Sequence, residues 1–253
     1  MIALSVNLNK IALIRNSRDT TNPSVPDHAQ MCIDAGADGI TVHPRPDQRH
    51  IRAQDCFDLM KMLSVEFNIE GNPFSGPRKS EREGVGDYPG FMELVRQIRP
   101  AQCTLVPDTD GQLTSDHGFD LTRDGERVAP LIAELKSLGI RTSLFMDPDP
   151  EQIRLAAQTG TDRIELYTES YADAFKSGQN MEAVFASFIT AAQIAAEEGL
   201  ELNAGHDLDL NNLPRFATVP GLLEVSIGHA LTVDAIRMGL TNAVAAYQKA
   251  LGK

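Results

Sequence analysis

Gly36-Ala-Asp-Gly-Ile-Thr-Val-His43 reads as a glycine turn, a short β-branched strand and an imidazole at the strand's end. The glycine suits a helix stop, because a residue without a Cβ enters the left-handed cap conformation at little steric cost. The same grammar returns at Gly139 before Ile140 to Met146, at Gly160 before Arg163 to Tyr167, and at Gly199 before Leu200 to Gly205. Apolar runs over Ile2 to Leu8, Glu66 to Glu70, Gln102 to Val106 and Leu222 to Ile227 bring the strands to eight. Eight strand–helix units in 253 residues, roughly one per 32, match the length and rhythm of a closed barrel. The expected fold class is therefore α/β: a single TIM (β/α)8 barrel over residues 1–253 with long βα loops above its C-terminal face. Pattern alone leaves open a doubly wound open sheet.

Between the strands, Met181, Val184, Phe185, Phe188, Ala192 and Ala195 share one helical stripe that packing against a barrel wall explains. Pro150 suits the first turn of a helix, where a missing N–H costs nothing. Two connections are unusually long. Residues 71–90 hold five Gly and three Pro among many charges, and 107–124 run from Pro107 through Asp124. Both belong on the strand C-terminal face, where lids arise. The first reads equally well as a surface excursion, and the second reads as a lid.

Function enters through the strand ends. Ile40-Thr-Val-His43, Phe67-Asn-Ile-Glu70, Ile164-Glu165, Leu202-Asn-Ala-Gly-His206 and Val225-Ser-Ile-Gly-His229 each run from apolar residues into an ionisable one. A parallel sheet gathers such ends on one face, so distant side chains share a pocket, and an enzyme is expected. Imidazole, with an ordinary pKa of about 6.5, gives or takes protons near neutrality. Glu70 at a mostly apolar mouth is expected to be pushed up by desolvation. His43, Glu70, His206 and His229 are also acceptable metal ligands. No His-x-His, His-Glu-x-x-His or paired Asp cluster supports that reading, so no metal is expected.

Lys plus Arg number 23 against 35 Asp plus Glu, a net charge of -12, which argues against nucleic acid or anionic lipid as a partner. An anionic ligand then needs a local basic pocket. Arg15 and Arg18 follow the first strand, and Arg45, Arg49 and Arg52 with His50 follow the second, placing five guanidiniums near one rim. For Arg49 and Arg52, pairing with Asp47 and Asp55 is an equally good reading. Opposite, Ser226-Ile-Gly228-His229 opens a helix whose free N–H groups attract anions. Two anion sites imply two phosphorylated substrates or a bisphosphate. Cys32, Cys56 and Cys103 are odd in number and set in apolar patterns, so they read as buried free thiols. The first residues carry no basic leader and no apolar run reaches membrane-span length, so a cytoplasmic protein is expected.

Together the segments Ser5-Val-Asn7-Leu-Asn9, Arg15-Asn-Ser-Arg18, Gly36 through His50, Phe67-Asn-Ile-Glu70, Cys103-Thr104-Leu-Val-Pro107, Asn203-Ala-Gly-His206 and Ile227-Gly228-His229 resemble the pyridoxine 5′-phosphate synthase family over nearly the whole chain. The resemblance implies a TIM barrel, assembled as a homo-octamer, that joins 3-amino-2-oxopropyl phosphate to 1-deoxy-D-xylulose 5-phosphate. It implies no cofactor. His43 and Glu70 match the family's proton acceptors, and His206 its proton donor. Asn7, Arg18, Asp207, Gly228 and His229 match contacts to the amino ketone phosphate. Arg45, His50 and Thr104 match contacts to the deoxyxylulose phosphate, and Glu165 faces the same pocket. Two departures stand out. Asn9-Lys10 replace a frequent Asp-His, and Asp207 replaces a frequent Gly. Lys10 reads first as a solvated or structural lysine, with a phosphate donor or an imine former as alternatives. Other functions weighed are a sugar-phosphate epimerase or isomerase of the ribulose-phosphate-binding type and a noncatalytic phosphometabolite-binding protein.

Overall fold

Eight parallel strands close on themselves in sequence order, β1 pairing with both β2 and β8, which excludes the open sheet. The structure is a computed structural model, and it describes residues 1–18 and 20–253. The chain runs β1 (Ala3–Asn7), α1 (Asn9–Asn16), α2 (Val25–Asp34), β2 (Gly39–Val42), α3 (Ala53–Met62), β3 (Glu66–Gly71), α4 (Phe91–Ile98), β4 (Gln102–Leu105) and α5 (Leu121–Ser137). It continues with β5 (Arg141–Met146), α6 (Pro150–Gln158), β6 (Arg163–Tyr167), α7 (Glu169–Ser177), α8 (Met181–Glu197), β7 (Glu201–Gly205), α9 (Leu213–Phe216), β8 (Leu222–Ile227), α10 (His229–Met238) and α11 (Leu240–Ala250). Every predicted strand is present, with ends moved by a residue or two.

Local chemistry sets the boundaries. Asp149 caps α6 by accepting the amides of Glu151 and Gln152, and Pro150 fills the first helical position. Gly36, Gly139, Gly160 and Gly199 all take the positive φ that a helix stop before a strand demands. On α8, Phe188, Ala192 and Ala195 are buried, with Met181, Val184 and Phe185 packed partly against the core.

Along the strands, alternate residues face opposite ways, and the two faces differ in kind. Leu4, Val6, Ile40, Val42, Ile69, Leu144, Ile164 and Val225 join the shell of core packed beneath the helices. The other set points into the barrel, because it bonds across it. Asn203 on β7 donates to Gln102 on β4 at 3.4 Å, and Arg163 on β6 donates to Glu224 on β8 at 3.3 Å. Higher up, Ser5 meets Thr41 at 2.6 Å and Thr104 donates to Asn68 at 3.1 Å. The lumen is thus polar, which corrects the expectation of a mostly apolar mouth.

Both long connections are ordered by specific bonds. In residues 72–90, Arg78 and Tyr88 exchange backbone hydrogen bonds of 2.9 and 2.8 Å. Tyr88 is buried and its hydroxyl donates to the carbonyl of Pro44, so this segment is anchored to the β2 side. The second connection is shorter than the sequence suggested. Asp120 accepts the amide of Thr122 and starts α5 at Leu121, so the loop ends at residue 120 rather than 124.

Candidate active site

His43 stands immediately beyond β2, its amide held by Asn9 Oδ1 at 2.9 Å. Its Nδ1 lies 3.8 Å from Glu70 Oε2, and its Nε2 lies 3.6 Å from Asp108 Oδ2. Burial pushes His43 well below the ordinary imidazole range, and the guanidiniums of Arg45 and Arg49 push it further. Glu70 moves the other way: burial first, then Glu165, Asp108 and Glu224, raise it well above the usual carboxylate range. The His43–Glu70 approach therefore joins a neutral base to a carboxyl whose ionised form burial disfavours. Glu165 sits inside β6 rather than at its end, and burial with Glu224 pushes it to about 8.

One flank of this pair is cationic. Arg45 Nη2 donates to Asp108 Oδ2, which also accepts Ser115 Oγ at 2.9 Å. His50, pushed down to about 3 by burial and by Arg45, Arg49 and Lys10, is neutral. Its Nδ1 accepts the Ile51 amide at 2.9 Å, so the ring proton sits on Nε2 and serves as a donor. The five-guanidinium rim is not present as expected. Arg15 is buried in a two-pronged pair with Asp55, at 2.5 and 2.9 Å, and also donates to the His50 carbonyl. It braces α1 against α3, with four of its five N–H donors already bonded within the protein. Arg49 pairs with Asp47 at 2.7 Å and holds the carbonyls of Gln112 and Asp110. Asp55 is taken by Arg15 and by the Arg52 amide, so the expected Arg52–Asp55 side-chain pair gives way to a backbone cap.

The opposite flank carries His206. This residue and Asp207 both adopt positive φ, 83° and 58°, turning the chain sharply at the end of β7. The ring is held on three sides. Nδ1 meets Asp207 Oδ2 at 2.8 Å, Nε2 meets Thr114 Oγ1 at 3.0 Å, and Tyr167 packs edge-on at 5.0 Å. The bond from His206 holds Asp207 below its usual range, with His229 and Lys10 adding to the effect. Gly205 leaves room for Glu165, because a Cβ there would stand 2.3 Å from Glu165 Oε1 and push that carboxyl aside. Gly228 meets Asn7 in a similar way, with a Cβ falling 3.0 Å from that side chain. Asn7 in turn reaches Glu70 Oε2 at 3.5 Å. Beyond Gly228, α10 opens with no side-chain cap and no acidic residue in its first turn.

These contacts close a circuit around the barrel mouth: His43 to Glu70, Asn7 and Gly228; His43 to Asp108, Arg45 and the loop after β4; Thr114 of that loop to His206 and Asp207. The sequence of residues 4–253 matches the profile of the family described as pyridoxal phosphate biosynthesis protein PdxJ. The chain belongs to this family. Among its relatives, the pyridoxine 5′-phosphate synthase of Xanthomonas campestris pv. campestris strain B100 is 57% identical over 248 residues, covering 96% of this chain and 94% of that one. That of Xylella fastidiosa strain 9a5c is 52% identical, covering 96% and 92%. Among solved structures, a mutant tryptophan synthase α-subunit from Pyrococcus furiosus superposes with a TM-score of 0.62 at 10% identity, covering 99% of this chain and 98% of that one. That likeness concerns the barrel alone.

Most of the residues that the family resemblance marks lie on the circuit or beside it. Thr104 donates to Asn68 at 3.1 Å and stands beside Glu70 in the β3–β4 ladder. His229 is exposed at the start of α10 and acts on Asp207 through its field. Arg18 lies apart: its side chain is exposed beyond the end of α1, and among the described residues no bond joins it to the circuit. Lys10, on the first turn of α1, is half-buried and close enough to act on both His50 and Asp207. Two residues escaped the sequence reading. Asp108 follows the apolar run Thr104-Leu-Val, the same signal that marked Glu70, and was legible in principle. Thr114 sits mid-loop with no pattern around it.

Proposed function

We propose that this chain is a pyridoxine 5′-phosphate synthase, which condenses 3-amino-2-oxopropyl phosphate with 1-deoxy-D-xylulose 5-phosphate to give pyridoxine 5′-phosphate, phosphate and water. The observation that carries this reading is the 3.8 Å approach of His43 to Glu70, flanked by Arg45 and His50 on one side and His206 on the other. Building a pyridine ring from an amino ketone and a second ketone requires imine formation, loss of water, expulsion of phosphate and one carbon–carbon closure. Each step moves a proton between fixed atoms, so bases and an acid at set positions suffice.

His43 and Glu70 take protons, and His206 returns one to a departing oxygen. Neutral His43 has a free lone pair for this. Burial disfavours the ionised form of Glu70, and a substrate ammonium drawn beside it favours that form, which readies it as a base at the moment of binding. Arg45 and the Nε2–H of His50 grip the deoxyxylulose phosphate. Asn7 and the amides at Gly228 and His229, opening α10, hold the amino ketone phosphate, with Arg18 and Asp207 at its edge. Holding both molecules in register supplies effective concentration worth up to roughly 7–11 kcal/mol in well-oriented cases. Among the described residues no helix is long and apolar enough to cross a membrane. Independently of that, the location proposed is the cytoplasm and the working form a homo-octamer.

Incubation of purified protein with both substrates, with pyridoxine 5′-phosphate and inorganic phosphate measured in parallel, tests the proposal. Equimolar appearance of both supports it. Interconversion of a single sugar phosphate indicates an epimerase or isomerase, and binding without turnover indicates a noncatalytic role. Solution mass tests the octamer.

A further inference from the structure

His43 stands between two carboxyls that are not equivalent. Glu70 Oε2 lies 3.8 Å from Nδ1 and Asp108 Oδ2 lies 3.6 Å from Nε2, both just beyond hydrogen-bond length. Asp108 is also tied to a cation. Its Oδ2 accepts from Arg45 Nη2 and from Ser115 Oγ at 2.9 Å, while its Oδ1 is buried with no hydrogen-bond partner among the described residues. One carboxylate oxygen is thus uncommitted. Asp108 lines a cavity of about 230 Å³ together with His43, Arg45, Asn72, Ser75 and Tyr88, and its carbonyl is held by Asn72 Nδ2 at 2.5 Å. The carboxyl therefore has room to turn while its main chain stays fixed.

We propose that Asp108 is a positioning residue that couples anion capture to proton uptake: a phosphate arriving on Arg45 turns the Asp108 carboxylate from the guanidinium towards Nε2 of His43. This rests on the reading of Arg45 as a phosphate ligand and of His43 as a proton acceptor. A phosphate on the same guanidinium places like charge beside a buried carboxylate, which is unfavourable until that carboxylate finds another donor. His43 Nε2 is already 3.6 Å away, so a small side-chain rotation shortens the approach to a hydrogen bond. That bond fixes the ring proton on Nε2 and leaves the lone pair on Nδ1, which Glu70 does not occupy at 3.8 Å. In the transfer step a substrate C–H or N–H bond breaks, its electron pair stays on the substrate, and an Nδ1–H bond forms. The ring becomes an imidazolium, and Asp108 faces the new charge across Nε2–H. Without phosphate the carboxylate stays with Arg45, and the Arg45 and Arg49 guanidiniums disfavour a charge on the ring. His43 is a weak base until the phosphorylated substrate is seated.

The test uses inorganic phosphate with Asp108→Asn, which keeps the shape and removes the charge, and Asp108→Glu, which restores the charge. In wild-type protein, saturating phosphate is expected to move the Nε2-bound proton of His43 downfield in the NMR spectrum as the new hydrogen bond forms, the resonance being assigned by its loss in His43→Gln. Asp108→Asn is expected to bind phosphate and to leave that proton near its unliganded position. A proton unmoved in wild type with phosphate bound, an equal movement in Asp108→Asn, or wild type that binds no phosphate would each overturn the proposal. The wild-type spectra decide the coupling even where Asp108→Asn does not fold. In turnover, Asp108→Asn is expected to lower kcat by about tenfold or more with the KM for 1-deoxy-D-xylulose 5-phosphate no higher than in wild type, and Asp108→Glu to recover kcat to within about threefold. An asparagine variant with wild-type kcat, one changed only in KM, or a glutamate variant equally slow counts against it as firmly. Wild-type protein that makes no pyridoxine 5′-phosphate, while phosphate still moves the His43 proton, would defeat the functional reading and leave the coupling standing.

Discussion

Arg45 donates through Nη2 to Oδ2 of Asp108 at the barrel mouth, and both side chains are buried. A phosphate that uses Arg45 therefore competes with a carboxylate already in place. Asp108→Asn removes the competing charge while keeping the shape. We expect inorganic phosphate to bind this variant about tenfold more tightly by calorimetry, within the range of coupling seen for close buried charges. The same change leaves Arg45 without its counter-charge, so the variant also loses thermal stability when no anion is present. Equal or weaker phosphate binding would show that Arg45 does not contact the anion.

Glu70 faces Nδ1 of His43 at 3.8 Å, and its elevated pKa is set mainly by burial rather than by a single neighbour. Glu70→Gln preserves size and hydrogen bonding but cannot cycle a proton. Turnover is expected to fall by about 10²-fold or more, with substrate binding retained. Steady-state rates set beside calorimetric binding separate the two effects, and unchanged turnover removes Glu70 from the mechanism.

The barrel was legible because glycine stops and strand-sized runs recur with one period, and the closed β1–β8 pairing bears that out. The identity of the mouth residues was legible because an ionisable group at the end of an apolar run has few structural uses. What the sequence hid was pairing. Nothing local to Arg15 announces that Asp55, forty residues on, will claim it, so a buried brace resembled a phosphate ligand. The polar lumen was hidden for a related reason. Asn203 and Gln102 look like isolated polar residues in separate strands until closure of the sheet brings them within 3.4 Å. Loop residues such as Thr114 act through position alone, and position is a property of the fold.

Stability should depend on pH through Glu165. Its carboxyl is held at about 8 against an ordinary 4.5 by burial and by Glu224. Between those values the folded chain keeps a proton that the unfolded chain has released, so stability falls as pH rises across that window. Glu70, raised in the same direction, adds to the fall. Tm followed from pH 5 to pH 9 is expected to decline in wild type, and Glu165→Gln is expected to flatten part of that decline. Below about 6.5 an opposing contribution sets in, because the unfolded chain then protonates imidazoles that His43 and His50 keep neutral in the fold, so the decline is steepest above that pH. A Tm profile that Glu165→Gln leaves unaltered would place the carboxyl in a wetter setting than its burial implies.

Arg15 and Arg45 are both buried guanidiniums near the barrel mouth, yet their surroundings assign them opposite duties. Arg15 spends both terminal nitrogens on Asp55 and the His50 carbonyl, and Asp55 also caps the Arg52 amide at the start of α3. Arg15→Met strands the Asp55 charge, a loss of about 3–5 kcal/mol when one partner of a buried pair is removed. Urea denaturation is expected to register that loss, while phosphate affinity in the folded variant stays within about twofold of wild type. Arg45→Met reverses the pattern: phosphate affinity collapses because the donor itself is gone. Should Arg15→Met abolish phosphate binding in protein that is still folded, the division of labour between these two arginines would be wrong.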